Sequence, residues 1–517
     1  MPLPAGGDIV WPPTDPCVQT ALADWDAWYA SDPDRLTDRY ENRGVRELPE
    51  NRPAQYRGGV WGRLARWFWG NPTAPGEKRD KLHIPLAGDI ARTSSDLLFS
   101  EPPTLAVDHL GTQERLEELL ATGLHPTLLE GGEVCAALGG VFLRVVWDQD
   151  VSDRPWIDIV AADMAVPTFS YGRLREVTFW TVLESDGQTV WRHLEHHERG
   201  RILHGLYEGT AGTLGRLVPL TERPETAPLA RLVNEDGIDT GALDHLTAAY
   251  VPNVRPSRAW RNIPAARGWG QSDYQGIEGI MDALDETYSS WMRDVQNGKG
   301  RIVVPNSMLE NLGPGQGTAW NEERRVYSGL NMLQRPGDPS PLEVVQFEIR
   351  VQEHRDTCAE LIEQAVRQAG YSPSTFGETG DGAAVTATEI KARERRSMTT
   401  RGRKALYWGP GIADIVEALL AVEAGARFRV PGLEVDRPQV EFQDSVSDSP
   451  KELAETAELL KRAEAASRET LVRMVHPDWQ DDQVATEVAR IEEESALADP
   501  VLTGGEGFPT PGGEPEE

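Results

Sequence analysis

Cysteine is scarce. The chain has three in 517 residues, Cys17, Cys135 and Cys358, far apart and with no C-x-x-C pair. That spacing excludes a disulfide framework and a cysteine zinc site, and fits a reducing compartment. Long apolar runs are also missing. No stretch of about 18 apolar residues occurs, so no membrane span is expected. The opening "MPLPAGGDIVWPPTDP" lacks a charged n-region followed by an apolar h-region, so it does not read as a signal peptide. A cytosolic protein, or one assembled in a cytosol, is the expectation.

Positive charge is in short supply. Against 83 Asp and Glu stand 52 Lys and Arg, a formal net charge of −31. A free nucleic-acid binder carries a basic surface. This balance argues against tight, sequence-independent DNA binding, but not against handling DNA without gripping it. The bland reading of the acidity is solubility. The length suits about three or four average domains, or one large multi-lobed subunit. The 39% hydrophobic content with 16 Trp belongs to a folded protein.

Catalytic patterns are absent too. The glycine-rich stretch "TFGETGDGAAV" (375–385) precedes a basic helix and invites a phosphate-loop reading. A P-loop needs G-x-x-x-x-G-K-[ST], because backbone N–H groups and one Lys surround the phosphates. Here Ala383 follows the last glycine, and Glu378 and Asp381 repel phosphate. There is no G-x-S-x-G elbow and no zincin pattern. In "HLEHHE", His193, Glu195 and His197 share one strand face and could hold zinc. The alternative is a polar strand face. No catalytic residue, metal ligand set or cofactor is assigned.

What is present is an ordered series of elements. Residues 1–14 are Pro/Gly-rich. Asp15 before Pro16 is an N-cap with Pro at the first helical position, so a helix follows. Residues 42–80 read as irregular. Helices are expected over 86–99, with Ile90, Leu97 and Leu98 inward, and over 113–130. From about 134 to 220 the pattern turns to strands. Asp186-Gly187 and Arg199-Gly200 mark tight turns of a meander.

A helix is expected over 273–297. Ile277, Met281, Leu284, Tyr288, Trp291 and Val295 form an apolar seam. Glu278, Asp282 and Asp285 repeat that spacing one position later as an acidic stripe. At about 1.5 Å per residue this helix is nearly 40 Å long. Residues 298–347 form a compact insert that starts with strand-like "RIVVP" and ends with "LEVVQFEI". A second helix over 350–369 carries Cys358, Leu361, Ile362, Ala365 and Val366 on one face, and Gly370 suits its C′ position.

After the glycine-rich loop, a helix runs from about 385 to 424. Gly409-Pro410-Gly411 is expected to kink or break it. Its first half reverses the sign of the chain: Lys391, Arg393, Arg395, Arg396, Arg401, Arg403 and Lys404 face only Glu389 and Glu394. Either it is a solvated helix making salt bridges to acidic neighbours, or it meets a polyanion or an acidic subunit. Residues 449–495 are helical again, with Ser449-Pro450-Lys451-Glu452 in capping-box form. Further helices start after Ser467 and after Asp481 or Asp482. The tail from 498 is Gly/Pro/Glu-rich and expected to be disordered.

This order, and three long stretches, resemble one family. "KLHIPLAGDIARTSSDLLFSEPP" (81–103), the run from "VPNVRPSRAW" to "GRIVVPNSML" (251–309), and "VSDSPKELAETAELLKRAEAASRETLVRMVHPDW" (446–479) are similar to portal proteins of tailed bacteriophages, in the type found in long-tailed siphophages. The likeness covers about residues 40–495. It implies an α+β portal fold: an N-terminal arm (1–40), a wing (41–270, strand-rich over 134–220), stem helices (271–297 and 348–370) and a small mixed clip (298–347). A tunnel loop (371–386), a long kinked helix with a return to the wing (387–448), a helical crown (449–497) and the tail (498–517) complete it.

It further implies a homo-oligomeric ring, commonly a dodecamer, at one capsid vertex of a virion assembled in the host bacterial cytoplasm. Double-stranded DNA would pass through its channel. Terminase large subunit, head–tail adaptor, major capsid and scaffolding proteins would be the partners, with no membrane and no cofactor. Carried onto this chain, Ser374, Thr375, Phe376, Gly377, Glu378, Thr379, Gly380, Asp381 and Gly382 make the tunnel loop. The basic helix anchors its root, and the acidic stripe either lines the channel or pairs with those arginines. The competing expectations are a metal-dependent hydrolase using His193, Glu195 and His197, or another minor virion structural protein.

Overall fold

The structure is a computed structural model. It describes residues 3–41, 82–234, 237–297, 350–377, 387–442, 450–463, 465–476 and 481–498, with four short strands between 301 and 345. The class is α+β. The chain divides into two compact units, 1–442 and 443–517.

In the first unit, strand β1 (Gly6–Val10) precedes helices α1 (Pro16–Tyr29) and α2 (Pro33–Glu41). Asp15 caps α1 as its spacing predicts, its carboxylate accepting from the Cys17 N–H at 2.9 Å. Val18, Leu22 and Trp25 then fall on one face and are buried. Helix α3 (Leu86–Phe99) has both predicted ends, with Ile90 and Leu98 buried and Leu97 packed at the edge of the core.

After β2 (Thr104–Ala106) the expected helix 113–130 is instead two. Helix α4 (Leu110–Leu119) passes through a π turn, Leu120–Leu124, into α5 (His125–Leu138). Gly123 at φ 130° makes that break, a conformation other residues resist. Helix α5 packs on α3 through Gly132, where a Cβ would lie 2.6 Å from Ser95 Oγ. Strands therefore begin at 140, not 134.

Two sheets follow. Strands β3 (Gly140–Val146) and β4 (Trp156–Ala161) belong to a three-stranded sheet. Strands β5 (Ala165–Ser170), β6 (Arg173–Ser185), β7 (Val190–Glu198), β8 (Arg201–Gly209) and β9 (Thr213–Val218) form the predicted meander. Its order is β1-β9-β8-β7-β6-β5, with β10 (Ile238–Asp239) on β8. Arg199-Gly200 is a two-residue hairpin turn with Gly200 at φ 80°. Strand β11 (Ala248–Pro252) completes the smaller sheet, in the order β11-β3-β4.

Helix α6 (Glu278–Asn297) starts five residues later than expected, so its 20 residues span about 30 Å. The seam is buried at Ile277, Met281 and Leu284, but Val295 is 40% exposed. Two short ladders lie in the insert: β12 (Arg301–Val303) with β15 (Glu343–Val345), and β13 (Glu310–Asn311) with β14 (Thr318–Ala319). Helix α7 (Val351–Ala369) packs along α6 and ends at Gly370, left-handed at φ 102°. Trp291 stacks on His354 at 6.3 Å, and Asp294 takes both His354 and Arg350.

Helix α8 (Ala387–Ala424) runs unbroken as secondary structure through Gly409-Pro410-Gly411. The glycine serves packing: a Cβ on Gly411 would sit 2.5 Å from Val251 Cγ2 of β11. Part of this helix is long and apolar enough to cross a bilayer by length and composition. Its Trp408, Ile412, Ile415, Val416, Leu419 and Leu420 are instead buried in a core shared with Val141, Leu143 and Val251. Near its end Glu423, fully buried, holds the Arg115 guanidinium of α4 at 2.6 Å. Strand β16 (Gln439–Glu441) pairs with β2 and closes the unit.

The second unit contains α9 (Pro450–Arg462), α10 (Arg468–Val475) and α11 (Asp481–Ala498). Ser467 caps α10 as expected, accepting from the Thr470 N–H at 3.2 Å. The capping box at Ser449 and the tail from 499 lie outside the described residues.

Candidate functional site

The segment joining α7 to α8 is held at its root by side chains of α8. Ser397 Oγ accepts from the Ser372 N–H at 2.9 Å and meets Thr375 Oγ1 at 2.8 Å. One turn on, Thr400 Oγ1 donates to the Gly370 carbonyl at 2.6 Å. Pro373–Phe376 forms a single 3-10 turn, Phe376 packs edge-on against Tyr371, and Gly377 leaves that turn at φ 82° into open space. Hydroxyls three residues apart on one helical face thus fix both sides of the root. Ser374 Oγ is buried without a hydrogen-bond partner among the described residues. Glu378, Thr379, Gly380, Asp381 and Gly382 lie outside the described residues, as do the side chains of Lys391 and Arg393.

Beneath the root is a buried polar cluster. Lys404 is 1% exposed and donates to Asp273 Oδ2 at 2.5 Å, Ser94 Oγ at 2.5 Å and the Tyr371 hydroxyl at 3.0 Å. An ammonium has three donors, and all three are used. Tyr371 in turn donates to Asp273 Oδ2 at 2.6 Å, and Asn253 Nδ2 to Asp273 Oδ1 at 2.7 Å. Burial, then the Asp273 charge and its hydrogen bond, push the Tyr371 hydroxyl well above the usual phenol range. The cluster joins α3, the turn before α6, the loop root and α8 through one satisfied network.

This divides the predicted basic helix. Lys404 is a core residue, not a surface cation. Arg401 turns inward to donate to the Leu97 carbonyl of α3 at 2.6 Å. Arg395, Arg396 and Arg403 are exposed. Arg396 and Arg403 join Arg258 around a cavity of about 690 Å³ that also reaches Gln368, Gly370 and Thr400. Guanidinium groups so arranged suit an acidic surface or a phosphate chain.

The acidic stripe is buried. Glu278, Asp282 and Asp285 are 6%, 3% and 1% exposed within the chain itself. Asp285 accepts from the Ile84 N–H at 2.9 Å and binds His83 Nδ1 at 2.7 Å. Burial pushes its carboxyl up, against the hydrogen bond from His83. Glu278 accepts from the Gly276 N–H at 2.6 Å at the start of α6.

The histidine set on β7 does share a strand face, but its donors are engaged. His197 binds Glu195 at 2.7 Å and Thr247 at 2.8 Å, and Arg144 holds the other Glu195 oxygen at 2.8 Å. Burial pushes the Glu195 carboxyl up, yet His197 and Arg144 outweigh it and hold it well below the carboxylate range. His193 instead stacks on His204, their ring nitrogens 3.1 Å apart. This is a buried ion-pair network of the sheet.

Ser397, Thr400, Tyr371 and Asp273 were not singled out by sequence. The only available signal was a pair of small hydroxyls at i and i+3 inside a basic helix.

A family model described as "Phage portal protein, SPP1 Gp6-like" matches residues 34–500. The chain belongs to that portal family. The family is a structural, non-enzymatic one, and its members act as portals or connectors of phage particles. Two solved structures are similar in part. One is titled "Neck of native GTA particle computed with C12 symmetry", at 12% identity and a TM-score of 0.39, covering 76% of this chain and 90% of that one. The other is titled "Virion of native gene transfer agent (GTA) particle", also at 12% identity and 0.39, covering 84% of this chain and 97% of that one. No curated protein matches.

Proposed function

We propose that this portal-family chain forms a closed ring, a dodecamer, at one capsid vertex, and that duplex DNA enters and leaves through the central channel. The observation that carries the proposal is the family match over 34–500. In this reading the sheets of the first unit are the wing, helices α6 and α7 the stem and the insert 298–347 the clip. The clip meets the terminase during packaging and the head–tail adaptor afterwards, while capsid and scaffolding proteins meet the wing. Helices α9 to α11 are the crown.

The segment 371–386 is the tunnel loop. Its root is pinned to α8 by Ser397 and Thr400. Glycines there permit bending around passing duplex, and Glu378 and Asp381 discourage trapping of phosphate. The exposed Arg395, Arg396 and Arg403 face a neighbouring acidic subunit. Energy for DNA movement comes from ATP hydrolysed by the terminase. The test is assembly with this chain withheld. Capsids without packaged DNA are expected, and DNA-filled particles formed in its absence would reject the proposal.

A further inference from the structure

On the other face of β7 from the His193/Glu195/His197 set, three potential metal donors converge. Glu176 of β6 and His196 and Glu198 of β7 each offer one donor atom, all within 4.8 Å of one another. The register pairs Thr178 with His196 and Val177 with His197, so one further step brings Glu176 opposite Glu198. Like charges directly opposite in an antiparallel pair are destabilising. Arg201 engages one Glu198 oxygen, and Glu176 accepts from the N-terminal amino group and from Thr168, its neighbour on β5, which hold its carboxyl below the usual range against burial.

His196 supplies the second observation. It is 2% exposed, and its Nε2 is buried with no hydrogen-bond partner among the described residues. An orphaned buried ring nitrogen is costly. Its Nδ1 lies 2.9 Å from Thr178 Oγ1. With Thr178 accepting from Nδ1–H, the ring is oriented and its lone pair sits on Nε2, as in metal-bound histidines.

We infer that Glu176, His196 and Glu198 form a divalent-cation site that cross-links β6 to β7. Donors about 2.1 Å from a common ion lie about 3–4 Å apart, which small rotations of the two Glu side chains reach. One imidazole with two carboxylates suits zinc or manganese, whereas calcium and magnesium take all-oxygen sets. The ion bridges the facing carboxylates and satisfies Nε2.

The experiment is calorimetric titration of the chelator-treated full chain with zinc and, separately, manganese chloride, together with thermal unfolding. One ion per chain is expected, with a raised melting temperature. Glu198 is partly exposed, so E198Q folds. It should weaken binding at least about tenfold and abolish the thermal shift, as loss of a ligating carboxylate does. H193N, on the opposite face, should bind as the wild type does. No binding by the wild type, undiminished binding by E198Q, or loss of binding in H193N would each overturn the inference.

Discussion

Lys404→Met is expected to destabilise the first unit by about 3–5 kcal/mol, the cost of leaving one member of a buried ion pair without its partner. The substitution keeps the volume of the side chain. It removes the cation that Asp273 holds at 2.5 Å in a site where both side chains are almost wholly buried. It also takes donors from Ser94 and the Tyr371 hydroxyl. In a unit of this size a kcal/mol moves the melting temperature by roughly 1 °C, so the shift is about 3–5 °C. Adding Asp273→Asn should restore part of the loss, because the neutral amide can still accept from Tyr371. Thermal unfolding of both variants checks this. An additive double variant would mean the two side chains do not form one network.

The second large effect is on DNA. Deleting Gly377–Ala383 is expected to leave ring assembly intact and to block DNA packaging or retention. The root stays in place, because Ser372, Thr375 and Gly370 keep their bonds to Ser397 and Thr400. A replacement of the same seven positions by glycine and serine keeps the reach of the loop and should package DNA. Particle yield and DNA content, measured for both, separate the cases. Normal packaging by the deletion would remove this segment from the channel. Loss of rings would show that it belongs to the ring interface instead.

The sequence made local features legible. Helix α3 could be read at both ends, because Ile90, Leu98 and the Pro before it lie within one periodic window. The hairpin at Arg199-Gly200 followed from turn chemistry alone. Long-range partners were not legible. Lys404 looked like one cation among seven, because Asp273 lies 131 residues away. The stripe Glu278, Asp282, Asp285 looked like the polar edge of an amphipathic helix. Its Asp285 is instead covered by residues 82–84, which no helical periodicity reveals. Helix α6 begins late because Gly276, at φ 96°, lies outside helical geometry just before Glu278. At Gly123 a single positive φ divided what reads as one continuous helix.

The central claim is a ring, and electron microscopy of the purified chain in negative stain, with its mass measured in solution, tests it most directly. The account predicts annular particles with a central hole and a mass at an integer multiple of 57.1 kDa, twelvefold for a dodecamer. Compact particles of single-chain mass, with no annuli either alone or with the scaffolding protein, would contradict it.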